Sequence, residues 1–221
     1  RNEKIADLNA GKSKGLNKVL WPVRRKVPNV PANPGLIGKV AAGPFYPPGT
    51  YTVKLTKKDT VFTTQIVIKD DPKSLHSPAE RKLQIETVET AYSLLEEIAA
   101  FNTKLSDLIV RLELLKESGV SPKLAGSINM LVTTFKEYQN LIAADSKSRL
   151  SGESKLREKA ADVYSGIIGY LGVLTTSPIE ALTSIKKEVT RIKDDFTNFS
   201  QTSEELLNKR LKDEGRPGVG F

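Results

Sequence analysis

The chain has 221 residues, 38% of them hydrophobic and 27% charged, with a formal net charge of +8 and no cysteine. This composition belongs to a globular chain able to bury one or two ordinary cores, and the missing thiols exclude disulfides, thiolate metal sites and cysteine nucleophiles. No run approaches the roughly 18 consecutive apolar residues of a membrane span, and the basic excess is interleaved with acids, as in Arg191-Ile192-Lys193-Asp194-Asp195, which reads as a solvated helix face and not as a nucleic-acid surface.

Residues 1–72 hold most of the twelve prolines and the β-type signals. The chain opens at Arg1 with neither methionine nor signal peptide, so it is expected to be a piece of a longer precursor. Leu16 to Trp21 alternates apolar and polar residues and predicts a strand. The basic cluster Arg24-Arg25-Lys26 lacks the aromatic and glycine interleaving of base-stacking modules. Pro28 to Pro48 reads as a long covering loop, because proline removes ladder donors, with a short edge strand near Ile37 to Val40. Thr50 to Lys57 and Thr60 to Ile68 flank the polar turn Lys57-Lys58-Asp59 and predict a hairpin.

Pro72 ends the last strand, and the short link to the first helix predicts a fixed angle between the two parts. Leu75, before the Ser77 cap, is expected to be buried at that junction in the manner of a staple against Lys82 and Leu83, with the base of the fourth helix nearby. Four apolar stripes follow at helical spacing. The first runs Leu94, Ile98, Phe101, Leu105, Leu108, Leu112, Leu115, and the second Ile128, Leu131, Phe135, Tyr138, Ile142. The third is Leu156, Ala160, Val163, Ile167, Tyr170, Leu174, and the fourth Leu182, Ile185, Val189, Ile192, Phe196, Phe199, Leu206. Ser-Pro pairs at Ser77, Ser121 and Ser177 predict helix starts, with Glu80 and Glu180 completing capping boxes. Helices one and four are expected to run about 40 and 35 residues, and two and three about 22. The expected fold class is α+β: a partial β module over 1–72, an antiparallel four-helix bundle over 77–214 with two long and two short helices, and a tail over 215–221.

Residues able to carry chemistry are sparse. His76 is the sole histidine, which excludes a two-histidine metal site or a serine triad within the chain. Glu96-Glu97, Asp194-Asp195 and Glu204-Glu205 could suggest a glycosidase pair, but they fall off the apolar stripes and read as surface. Gly166, Gly169 and Gly172 suit close helix packing better than a phosphate loop. No catalytic residue, cofactor or metal ligand is assigned. Trp21, with Tyr46 and Tyr51, is the candidate carbohydrate contact; the competing reading of Trp21 is as a core residue of the β module.

The run Gly15-Leu16-Asn17-Lys18-Val19-Leu20-Trp21 and, after the proline-rich loop, Pro47-Pro48-Gly49-Thr50-Tyr51-Thr52-Val53 resemble the Ig-like module of flagellar-hook-capping proteins. Followed by long helices and the ending Leu207-Asn208-Lys209-Arg210-Leu211, Gly215-Arg216-Pro217, the pattern is similar to the C-terminal region of bacterial, Bacteroidetes-like proteins with a sortilin-like or BNR-repeat β-propeller, often labelled glycosyl hydrolases. This chain has Pro22-Val23-Arg24 where that family usually continues the tryptophan with Asp and a Leu-Arg pair. An Ig-like sandwich needs about seven strands, and only four or five are found, so the module is expected to lack its first strands and to expose an unpaired edge open to association; the resemblance implies that these strands precede Arg1, with Lys4 to Leu8 finishing one that begins upstream. The resemblance implies an exported, periplasmic, cell-surface or secreted protein. It also implies a non-catalytic structural and interaction role, with the upstream domain of the same polypeptide as partner. The alternatives are a carbohydrate-binding accessory module, with a glycan or another protein as partner, and part of a glycosyl hydrolase whose active site lies upstream.

Overall fold

The computed structural model describes residues 3–30, 40, 42–143, 155–170 and 172–221. Along the chain come strands β1 (Gly49–Lys57) and β2 (Thr60–Ile68), then helices α1 (Pro78–Glu117), α2 (Pro122–Ile142), α3 (Leu156–Ile167) and α4 (Thr176–Asp213). The fold is thus mixed α+β and mostly helical.

The β1–β2 hairpin forms as the sequence predicts, antiparallel from Gly49↔Ile68 to Lys57↔Thr60. Its two-residue turn holds Lys58 at φ 52°, a left-handed conformation that costs a non-glycine residue about 1–2 kcal/mol. Period-two alternation sorts the side chains cleanly. Tyr51, Val53 and Leu55 share one face with Ile66, Thr64 and Phe62, while Thr50, Thr52, Lys54 and Thr56 share the other with Val67, Gln65, Thr63 and Val61.

The remaining β expectations need correction. Leu16 to Trp21 is not a strand, and neither is Lys4 to Leu8; the sheet of the described residues has two strands, and no sandwich is seen. Leu16 is fully exposed and Leu20 largely so: an alternating pattern forms a ladder only when a second strand satisfies its backbone and a second surface covers its apolar side. Ile37 to Lys39 lie outside the described residues, and Val40 sits in a turn. Among the described residues the bridge Arg24↔Phe45 ties the first segment to the second, with Arg25 N donating to Pro44 O at 2.8 Å and Tyr46 N to Val23 O at 2.9 Å.

The helices start largely where their caps predict. Ser77 and Glu80 form the full capping box of α1, with bonds of 3.2 and 2.7 Å, and Ser121 Oγ accepts from Leu124 N at 3.2 Å at the start of α2. Two expectations fail. The α4 helix begins at Thr176 behind Thr175, without a side-chain cap, so Ser177 and Pro178 lie inside its first turn and the Ser177–Glu180 box does not form. There proline is tolerated because first-turn N–H groups have no intrahelical acceptor. The α3 helix is 12 residues long, about half the expected length. Gly169 follows its end, and glycine costs a helix interior about 1 kcal/mol relative to alanine, so Tyr170 and Leu174 fall outside the helix.

Cross-helix partners fix the directions. Lys116–Asn129, Glu113–Lys136 and Ser106–Gln139 run α2 antiparallel to the second half of α1, as the tight connection requires. Gln84 donates to Tyr170 O at the other end of α1, so α3 descends along the first half. Meanwhile α4 lies parallel to α1, through Glu97–Lys193, Phe101–Phe196 and Arg216 on Ser118 and Gly119. The two short helices therefore occupy one column in succession and share a direction, in place of the paired antiparallel arrangement expected. Length supplies the reason: α2, of 21 residues, spans about 32 Å, roughly half the length of the 40-residue α1, and the 12-residue α3 packs along the remaining part.

Phe196 closes the middle of the core, with ring centroids 5.3 Å from Phe101, 5.4 Å from Phe135 and 5.4 Å from Tyr138. In the last turns of α4, Leu207 is buried and Leu206 exposed, the reverse of the predicted stripe. At its end Gly215, φ 68°, makes a Schellman turn: Gly215 N donates to Lys212 O at 3.0 Å and Arg216 N to Leu211 O at 2.8 Å,. The tail then folds back. Phe221 packs 5.5 Å from Phe135, and Val219 exchanges two hydrogen bonds with Asn208.

Candidate interaction surface: the hairpin and its aromatic foot

The three aromatics singled out in the sequence come together. Trp21, Tyr46 and Tyr51 form a triangle with centroid distances of 5.7, 5.4 and 6.0 Å, all tilted or edge-on. All three are half-buried. Both phenols have acceptors, Tyr46 donating to Ile5 O at 2.8 Å and Tyr51 to Pro47 O at 2.6 Å, and burial, seconded by Tyr46, raises the Tyr51 pKa. The Trp21 indole N–H is buried without a hydrogen-bond partner among the described residues. Edge-on packing of this kind suits a hydrophobic foot, and it stands under the root of β1.

Above that foot the apolar face of the hairpin is uncovered: Leu55, Phe62 and Ile66 are exposed, as is every residue of β2 before Ile68. Two strands alone are marginal in water. Most surface leucines and valines need no explanation, but here the register sets Leu55 opposite Phe62 and places Ile66 on the same face.

A strap built from the proline-rich segment holds this unit to the helices. The Arg24 guanidinium sits 3.5 Å over the Phe45 ring and donates to Gly43 O at 2.9 Å. Arg25 pairs with Glu89 and lies 4.3 Å over Tyr92, while Asn29 Nδ2 donates to Glu96 Oε2 at 2.9 Å. Tyr164 OH donates to Ala42 O at 2.7 Å, and burial drives its phenol pKa far above the ordinary value. Gly43 permits the approach, since a Cβ there would lie 2.1 Å from Arg25 O. These contacts, with Arg81–Asp70 at 3.0 Å, make the junction. Leu75 does not: it is 99% exposed. Nor is the C-terminal part of α4 nearby, because Glu214 and Arg216 meet Ser121 and Ser118 at the opposite end. The sequence signal for the strap was Glu89, Tyr92 and Glu96 on one face of α1, ready for Arg25 and Asn29.

Elsewhere, a cleft of about 660 Å³ opens between the first turns of α1 and α4, lined by Leu83, Ile179 and Leu182 with Glu86 and Lys186. Its threonines 87, 90 and 183 donate to carbonyls of their own helices at 2.7–2.8 Å. Among the described residues no three His, Asp or Glu side chains gather as a metal site. The paired acids are dispersed: Glu97 bonds Lys193, Asp195 bonds Arg191, and Glu204 accepts from Phe221 N. No helix among the described residues is long and apolar enough to cross a membrane.

Comparison with protein-family models, curated proteins and solved structures finds no match to this chain.

Proposed function

We propose that this chain is a non-catalytic structural and interaction region of a larger protein, in which a rigid helical bundle presents the β1–β2 hairpin. The observation that carries the reading is the open apolar face of Leu55, Phe62 and Ile66, standing on the Trp21–Tyr46–Tyr51 foot and strapped to α1. An aligned apolar sheet face is stable in water when another layer covers it. Half of an Ig-like sandwich has this form, so the covering layer is assigned to the upstream part of the same polypeptide, in keeping with the resemblance to exported bacterial β-propeller proteins. The test is cysteine labelling at Phe62→Cys, in this chain and in the longer natural polypeptide. Protection in the longer protein supports the reading; equal labelling rates in both, or hydrolysis of glycans by this chain, refute it.

A second reading, an accessory carbohydrate module, is favoured by the convergence of the three rings. Trp21 is the sole tryptophan, so its fluorescence reports directly on sugar binding. A shift saturating with oligosaccharide supports that reading, and an unchanged spectrum at millimolar sugar removes it.

A further inference from the structure

The apolar face of the hairpin and its edge are separate surfaces, and the edge carries a different message. Strand β2 reads Thr-Val-Phe-Thr-Thr-Gln-Ile-Val-Ile: nine residues without a charge, a proline or a glycine. Edge strands of soluble proteins are ordinarily protected by lysine, proline, a bulge or a covering loop. The other strand follows that practice with Lys54 and Lys57. Strand β2 has no such device, pairs only with β1 among the described residues, and is exposed from Thr60 to Val67.

Which backbone groups are free follows from the turn. Lys57↔Thr60 closes a two-residue loop and is therefore a hydrogen-bonded pair, so Phe62, Thr64 and Ile66 aim their N–H and C=O groups at β1. Val61, Thr63, Gln65 and Val67 aim theirs outward. The sequence is also near-symmetric about Thr64, with Thr63 matched by Gln65, Phe62 by Ile66 and Val61 by Val67.

We infer that the free edge of β2 pairs antiparallel with β2 of a second copy of this chain, about a two-fold axis at Thr64, giving a four-stranded sheet β1-β2-β2-β1. In that register Thr63 and Val61 of one copy meet Gln65 and Val67 of the other as hydrogen-bonded pairs, about eight inter-chain bonds in all. Phe62 meets Ile66 on the apolar face, an aromatic–β-branched pairing that stabilises sheets. Charge selects the edge. Pairing of two copies through β1 would draw Lys54 and Lys57 together, whereas pairing through β2 opposes no charge to any other. The area is that of a small interface, below about 1,200 Å², so association is weak and transient. The inference concerns the edge of the hairpin, whereas the proposed function concerns its apolar face.

Sedimentation velocity on the whole chain from micromolar to millimolar concentration tests it, with amide exchange by NMR alongside. The expected result is a monomer–dimer equilibrium in which the amides of Val61, Thr63, Gln65 and Val67 gain protection as concentration rises. Thr64→Lys and Thr64→Glu each place like charges together across the axis and weaken association at least tenfold, while an equimolar mixture restores it. Thr64 is exposed in the monomer, and unchanged circular dichroism confirms that each variant is folded. A wild-type chain that stays monomeric at about 1 mM overturns the inference. So does a dimer indifferent to both variants, or folded variants whose mixture does not associate.

Discussion

Leu206 and Leu207 offer a controlled comparison, since they are adjacent, chemically identical and in the same turn of α4, yet 58% and 2% exposed. Replacing each with alanine changes helix propensity equally and slightly in favour of the helix. Any difference in stability therefore reports burial. Leu207 belongs to the central core, and its truncation removes buried methyl groups and leaves a cavity, which costs about 2.7–5 kcal/mol in comparable sites. Its place near the end of α4 allows some collapse, so about 3 kcal/mol is expected. In a chain of this size each kcal/mol moves the Tm by about 2–4 °C, so Leu207→Ala should lower it by about 6–12 °C. Leu206→Ala should stay within about 0.5 kcal/mol of the parent. Urea titration with shared m-values gives both differences. Equal costs, or the larger one at Leu206, would mean that the last turns of α4 are rotated from the orientation described, and would refute the α4 packing.

Four further outcomes are expected. The buried Tyr164 phenol has its pKa raised in the fold, so the folded state holds that proton more tightly than the unfolded one; its contribution is complete below about pH 10, the unfolded value, and is lost as pH climbs from there toward the folded pKa. Tyr164→Phe should flatten this alkaline loss in thermal melts at pH 8 and 11, and an unaltered slope would contradict it. At the strap, Arg25 and Glu89 are each about a third exposed, so a double-mutant cycle should give less than about 1 kcal/mol of coupling; Arg25→Ala should cost more than Glu89→Ala, because it also uncovers Tyr92, and equal costs would deny the ring contact. Gly43→Ala drives a methyl into Arg25 O and should cost about 1–3 kcal/mol, with faster amide exchange at Arg25; a neutral result would mean that the strap does not lie as described. Leu75→Ser, at an exposed position, should change the stability by less than about 0.5 kcal/mol, and a larger loss in chemical denaturation would put Leu75 back into the junction.

The arrangement explains how so small a sheet can be ordered at all. The hairpin contributes little core of its own, and its order is borrowed through the foot and strap from α1 and α3, whose positions are fixed by the central core. Arg24, Arg25 and Asn29 therefore have a positioning role. At Arg24 and Arg25 the basic cluster lies against Phe45, Glu89 and Tyr92.

What the sequence determined by itself is local. Turn chemistry and period-two alternation placed the hairpin, Ser77 with Glu80 and Ser121 with Pro122 placed two helix starts, and helical periodicity identified most of the buried stripes, because these signals act through neighbours within a turn or a strand pair. Tertiary structure decided what depends on surfaces distant in the chain. Leu16 to Trp21 has the alternation of a strand, but it finds no partner strand among the described residues, and exposed backbone then gains more from water than from extension alone. The stripe of α4 passes through Ser200 and on to Leu207 instead of Phe199 and Leu206, since a small polar residue can be buried in a close contact and periodicity in apolar residues overlooks it. The shared direction of α2 and α3 follows from matching two short apolar stripes to one long one, a constraint on total length that no single segment contains. Trp21, Tyr46 and Tyr51 were legible as aromatics, but their meeting was set by the strap, whose ion pair and ring contact join residues far apart in sequence and leave no periodic trace.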